Sequence, residues 1–216
     1  MMAESATTAT IRRGHLHFRA EAEHHMGMPS LHLPRPWTEQ EFYSARDAAP
    51  YGERWELVDG EVLVTPSPHW VHQDIVGRLH LLMAPYLQAH PVGRVFLSPL
   101  DVRLEPGLVL QPDLLVVPLD ELKRRADVVR RLLLAIEVVS PGSARHDRVT
   151  KRPRYQRHHV PEYWVIDDSS QTVERWTPDD ARPELIADRL VWHPAGADAP
   201  LVIDLPAFFA AVLPPE

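Results

Sequence analysis

The sequence predicts an α/β (α+β) fold, a mixed β-sheet flanked by helices with an N-terminal β-hairpin, and three observations carry that expectation. Two short apolar runs, QPDLLVV and LLLAIEVV, read as strands, the second with the continuous character of one buried on both faces. Between two alternating segments stands Asp59-Gly60, a favoured pair for a tight two-residue turn. Apolar residues at Ile75, Leu79, Leu82, Met83 and Tyr86 recur at helical spacing.

Composition sets the outer bounds. The 216 residues suffice for one domain with a substantial core, and the expected division is a flexible leader over 1–36 and a single domain over 37–216. A hydrophobic fraction of 44% and a charged fraction of 25% are those of an ordinary globular chain. There is no cysteine, which excludes disulfides, thiolate metal sites and cysteine nucleophiles. No apolar run has the length of a membrane span or the character of a secretory signal, so a cytoplasmic protein without membrane contact is expected. The formal net charge of -7 excludes a surface coated in basic residues for indiscriminate nucleic-acid binding, and it leaves room for a local basic groove.

The elements follow in order. The leader is polar and scattered with histidines whose spacing matches no metal-ligand pattern. TEQEFYSA reads as a short helix capped by Thr38, with Glu41 three residues on. ERWELVDGEVLVT supplies strands at 54–58 and 61–65 around the tight turn. Ser67 is expected to cap the next helix with Pro68 at its first position, and Pro85 to kink or end it. Beyond Gly93, RVFLS, PLDVRLE and LVLQPDLLVVP read as strands with a turn at Pro106-Gly107. The charged residues 119–131 are expected to be helical, LLLAIEVV is the next strand, and a helix falls within 144–159. EYWVID, TVERW and ELIADRLVW read as strands, and LVIDLPAFFAAVL closes on a short helix.

Chemistry enters where acids interrupt apolar strands. Asp113 opens one such run and Glu137 sits in the middle of another. An ionised carboxylate removed from water needs a partner, and two converging carboxylates need a proton or a cation between them. With no cysteine and no suitable histidine pair nearby, oxygen ligands point to a hard cation, magnesium or manganese. Blander readings stand beside this one: Asp113 as a turn residue after Pro112, and Glu137 as one half of a buried ion pair with an arginine. Asp147, Lys151 and Tyr155 are spaced to share a helix face, where Lys151 either assists a carboxylate–metal site or makes a plain helix salt bridge with Asp147.

The ordered set WELVDGEV, SPHWVHQDIVGRL, GRVFLSPLDVRL, QPDLLVV, IEVVSPGSARHDRVTKRPRY and VPEYWVID resembles the Uma-type restriction-endonuclease family, within the PD-(D/E)XK nuclease superfamily, over residues 50–178. The resemblance implies a restriction-endonuclease-like fold and a metal-dependent hydrolysis of phosphodiester bonds in nucleic acid, DNA first, with a homodimer expected by analogy. It implies that Asp113 and Glu137 bind the metal, that the carbonyl of Val138 completes its shell, and that Lys151 supplies a positive charge. Glu56 matches a recurrent acid of the hairpin, acting as a water-mediated ligand or a brace. His72 and Gln73 match polar positions of the first long helix, and Asp147 and Tyr155 surround the lysine. His72 also has a blander reading, as a capping or core histidine.

Two departures from that pattern are visible. Val139 stands where the superfamily lysine is usual, so Lys151 is its substitute, and Pro153 follows Lys151 closely enough to disturb a helix there. His158 and His159 stand where glycine is usual, so His159 is expected in left-handed geometry. A nuclease-fold protein without catalysis, serving as a nucleic-acid-binding or protein-interaction module, is the competing expectation.

Overall fold

The computed structural model describes residues 35–49, 53–65, 67–124, 126, 128–140 and 142–212, together with the backbone of three short strands, β1 (Thr10–Arg12), β2 (His15–His17) and β3 (Ser30–Leu31). The rest of the expected leader lies outside the described residues.

The first helix, α1 (Glu39–Ala48), begins at the predicted capping box: the Thr38 hydroxyl accepts the Glu41 N–H at 3.3 Å, and the Glu41 carboxylate accepts the Thr38 N–H at 3.0 Å. Strands β4 (Arg54–Val58) and β5 (Glu61–Thr65) have the predicted bounds. Asp59 and Gly60 both take positive φ, 52° and 81°, which matches the twist of the flanking strands. Gly60 is also a point of close approach, because a Cβ there would run into Pro36.

Helix α2 (Trp70–Ala89) departs from the expectation at both ends. Its N-cap is His69, without a side-chain cap bond, so Ser67 and Pro68 precede the helix instead of starting it. Pro85 lies inside α2 and neither ends it nor stops its last turn. The carbonyl that a proline at this position leaves unpaired belongs to Leu81, which is 71% exposed and open to solvent. The buried stripe is Ile75, Val76, Leu79, Met83 and Leu87; Leu82, expected inside, is 42% exposed.

Strands β6 (Gly93–Leu97), β7 (Val102–Glu105), β8 (Leu108–Leu110) and β9 (Leu114–Pro118) follow, and LVLQPDLLVVP is thus two strands broken at Gln111-Pro112-Asp113. The stretch 119–131 is not one helix. A single turn, α3 (Leu119–Leu122), gives way to a chain tied back where the buried Glu121 carboxylate accepts the Arg130 N–H at 2.9 Å and Val129 bridges Val102. Then come β10 (Leu134–Val138), a π-helical turn (His146–Lys151), α4 (Arg152–Arg157), β11 (Glu162–Asp167), β12 (Thr172–Trp176), β13 (Glu184–Ile186), β14 (Arg189–Trp192), β15 (Leu201–Asp204) and α5 (Leu205–Val212).

A six-stranded mixed sheet runs in the order β13-β12-β11-β10-β9-β6, with β10 and β11 parallel and the other neighbours antiparallel. A parallel pair needs a crossover, and the π-turn with α4 supplies it. A second sheet has the order β3-β5-β4-β8-β7. On one face of the larger sheet Leu114, Val116, Leu134, Ile136 and Val138 pack with α2 and α5; on the other Leu115, Val117 and Ala135 pack with Tyr155 and Tyr163. The alternation of side chains along β9 and β10 continues to Asp113 and Glu137, which fall on the second face. No helix among the described residues is long and apolar enough to cross a membrane.

Candidate active site

The pairing of Ile136 with Leu114 ends the ladder between β10 and β9, and Asp113, just before β9, reaches β10 beside Glu137 through the Val138 N–H. Both acids are buried, Glu137 to 1% exposure and Asp113 to 3%. Asp113 accepts three hydrogen bonds: Arg54 Nη1 on Oδ1, and the Val138 N–H at 2.8 Å and His72 Nε2 at 3.0 Å on Oδ2. Burial works against its ionisation, yet His72, Arg54 and the Val138 N–H together hold its carboxyl well below the usual carboxylate range.

Glu137 is the opposite case. Its Oε1 accepts Lys151 Nζ at 2.9 Å, while its buried Oε2 has no hydrogen-bond partner. Burial pushes its carboxyl well up, and the neighbouring Asp147 and Asp113 add to this against the pull of Lys151 and Arg54. Lys151 stands among three carboxylates, with Glu56 Oε2 at 2.8 Å, Glu137 Oε1 at 2.9 Å and Asp147 Oδ1 at 3.3 Å. Burial disfavours its charge, but Glu137, Glu56 and Asp147 outweigh burial and raise its pKa. Its ammonium form is therefore favoured.

Glu56 is fully buried. Its Oε1 accepts the Gln111 N–H at 2.7 Å, and Lys151, Arg54 and that N–H overcome burial to keep its pKa low. Asp147 has a raised pKa, first through burial, which Lys151 only partly offsets. Tyr155 is buried with its hydroxyl unpartnered, its ring 4.7 Å from that of Tyr163. Gln73, singled out in sequence, is exposed and outside the cluster: one residue on from His72 turns its side chain about 100° around α2, away from Asp113.

Pro153 does not displace Lys151 into a loop. The crossover absorbs it as a π-turn: the Arg152 N–H bonds back to the Asp147 carbonyl, five residues earlier. Carbonyls around the irregularity are taken by guanidinium groups, Arg152 Nε on Arg148 at 3.0 Å and Arg154 Nη1 on Thr150 at 2.6 Å. His159 has the expected left-handed backbone, with φ 52°.

Two members of the cluster escaped the reading of the sequence, Arg54 and Gln111. The signal for Arg54 was its spacing: two residues before Glu56, it shares that residue's face of β4. Gln111 acts through its backbone N–H on Glu56, and its side-chain Nε2 donates to Asp101 Oδ1 at 2.7 Å. Asp101 in turn accepts both Arg46 Nη1 contacts, at 3.0 and 2.8 Å. A chain of contacts thus runs from α1 to Lys151.

Counted at full ionisation, four carboxylates (Glu56, Asp113, Glu137, Asp147) face two fixed cations, Arg54 and Lys151. Among the described residues no group of three or more His, Asp or Glu side chains is placed to hold a metal ion by itself.

A family model described as Uma2, putative restriction endonuclease, matches residues 40–203, which span every residue of the cluster. A crystal structure at 1.96 Å of a putative nuclease belonging to DUF820, from Anabaena variabilis ATCC 29413, is similar to the chain with a TM-score of 0.70 and 23% sequence identity, covering 82% of this chain and 100% of that one. At this identity the likeness shows a common fold. No curated protein matches the chain. The chain belongs to the Uma2 family, whose members are described as putative restriction endonucleases.

Proposed function

We propose that this chain is an endonuclease that hydrolyses phosphodiester bonds, with DNA as substrate and magnesium or manganese as cofactor. One observation supports the reading most: two buried carboxylates, Glu137 on β10 and Asp113 just before the neighbouring β9, lie side by side, with the Lys151 ammonium on one of them.

The residues fit a hard dication. Glu137 Oε2 is buried without a partner, four carboxyl groups share two fixed cations, and Asp113 accepts three bonds where a carboxylate offers about four sites. Magnesium is commonly held by one or two carboxylates, with water and substrate oxygens completing its shell. Asp113, Glu137 and the Val138 carbonyl are the groups that would hold it. Once bound, such an ion polarises a water and neutralises charge on the phosphate. Lys151, whose pKa is raised, brings a positive charge to the same place, where it stabilises negative charge developing on the phosphate oxygens. Glu56 and Asp147 fix its ammonium from two further sides, and His72 and Arg54 orient Asp113.

Purified protein incubated with plasmid DNA and magnesium or manganese is expected to cut it, and Glu137→Gln is expected to stop cutting while keeping the native circular dichroism spectrum. Absence of cleavage of every DNA and RNA offered, with either cation, sinks the proposal. The competing reading, a nuclease-fold protein that binds nucleic acid without cutting it, draws on one observation: Lys151 is 1% exposed and already engaged by three carboxylates. It expects metal-independent, salt-sensitive DNA binding by a wild-type protein that leaves the DNA intact.

A further inference from the structure

Access to the cluster is uneven. The side chains of Glu56, Lys151, Glu137, Asp147 and Asp113 are between 0% and 3% exposed, whereas that of Arg54 is 17% and that of His72 14%. A diester approaching Glu137 from solvent therefore meets Arg54 and His72 before any other side chain of the cluster.

The approach also has an electrostatic difficulty. A phosphodiester is an anion, and the site it must reach is lined by buried carboxyl groups, of which Asp113 and Glu56 are held in the ionised form that repels it. A cation at the entrance offsets that repulsion, and Arg54 is the one fixed cation of the cluster with appreciable exposure. Its capacity is only partly used. Of five N–H donors, a single one is engaged by an acceptor among the described residues, Nη1 on Asp113, and Nε is buried without a partner. His72 is likewise engaged through Nε2 alone, its Nδ1 being buried and unpartnered. The planar guanidinium fork matches two oxygens of a phosphate, which an ammonium does not.

We propose that Arg54 is a catalytic residue in its own right, the group that receives the non-bridging oxygens of the substrate phosphate, with His72 a positioning residue that holds Asp113 from the other side. The assignment rests on the nuclease reading for its substrate, and it extends that reading by separating two cations: Lys151 is sealed inside the cluster, and Arg54 stands at its entrance. Placement explains the division. Arg54 opens β4, at the open end of the hairpin, whereas the Lys151 ammonium is enclosed by Glu56 of β4, Glu137 of β10 and Asp147 of the π-turn.

The test is binding, so that it does not depend on cleavage. Glu137→Gln protein is titrated with a fluorescein-labelled DNA duplex and followed by fluorescence anisotropy across a series of salt concentrations, alone and combined with Arg54→Ala or Arg54→Lys. Arg54→Ala is expected to weaken binding tenfold or more and to reduce the slope of log affinity against log salt by about one, the signature of a lost phosphate contact. Arg54→Lys, which keeps the charge and a partner for Asp113, is expected to preserve the slope and still weaken binding several-fold. A merely structural Arg54 lowers the melting temperature and leaves the slope unchanged. Parent-like affinity in Arg54→Lys, or an unchanged slope in a folded Arg54→Ala, overturns the assignment. A wild-type protein that binds DNA without cutting it removes the nuclease activity and leaves this result readable.

Discussion

The two faces of the six-stranded sheet are made by the same strands and are held in opposite ways. On one face Leu114, Val116, Leu134, Ile136 and Val138 join Ile75, Leu79 and Met83 of α2 and Phe208 and Phe209 of α5 in a continuous apolar core. On the other, the apolar pattern of Leu115, Val117 and Ala135 ends in Asp113 and Glu137, and the space beyond them is filled by Lys151, Glu56, Asp147 and Arg54. The first face stabilises the fold by removing apolar surface from water, on the order of 25 cal/mol per Å². The second must bring charges out of water, which costs several kcal/mol per ion before pairing offsets it. A well-packed apolar patch of the same volume would hold the strands together at least as well. On the nuclease reading proposed above the charged face is retained for its chemistry, and the two faces should respond to substitution in different currencies.

The largest contrast is expected at Lys151. Lys151→Ala leaves three buried carboxylates without their common partner, and a loss of about 3–5 kcal/mol in urea unfolding is expected together with loss of cleavage. A small stability change would mean that water reaches the cluster freely, and the two faces would then not differ as described.

Next comes a pH effect whose sign separates the two acids. The Glu137 carboxyl is pushed well up, so the unfolded chain ionises first, and the residue destabilises the fold increasingly as pH rises through the ordinary glutamate range of about 4 to 5. Asp113 and Glu56 are held low and act the other way: their contribution is present above the ordinary carboxylate range and lost as pH falls below it. Glu137→Gln should therefore melt higher than wild type at pH 8, with the gap narrowing towards pH 4. A gap independent of pH contradicts this.

On the apolar face the expected change is smaller and of stability alone. Ile136→Val removes one buried methylene group, costing about 1 kcal/mol, with cleavage per folded molecule unchanged. Loss of cleavage in a folded Ile136→Val would show that the two faces are coupled through β10.

Much of this was legible in the amino-acid order, and the legible parts are local. The capping box of α1, the hairpin turn at Asp59-Gly60 and the apolar strands around Asp113 and Glu137 each depend on residues a few positions apart. What escaped is set by distant packing. Arg54 and Gln111 become part of the cluster only because the smaller sheet brings β4 and the end of β8 against the crossover that bears Lys151. Leu82 has helical spacing for burial, but the stripe is turned towards Val76 and Leu87 by the sheet it packs on. Pro153 read as a helix breaker, because neither the π-turn nor the arginine bonds that accommodate it have a signature in a window of neighbouring residues.

The π-turn has one further consequence. In an α-helix each residue advances the side-chain direction by about 100°, so a wide turn with one residue in surplus is a phase shift. Everything beyond it is rotated relative to the sheet, while β10 and β11 keep their parallel register. The direction in which Lys151 points is thus separable from the strands that carry the acids, and the angular setting of the crossover can be adjusted by a single residue without disturbing the pair it serves.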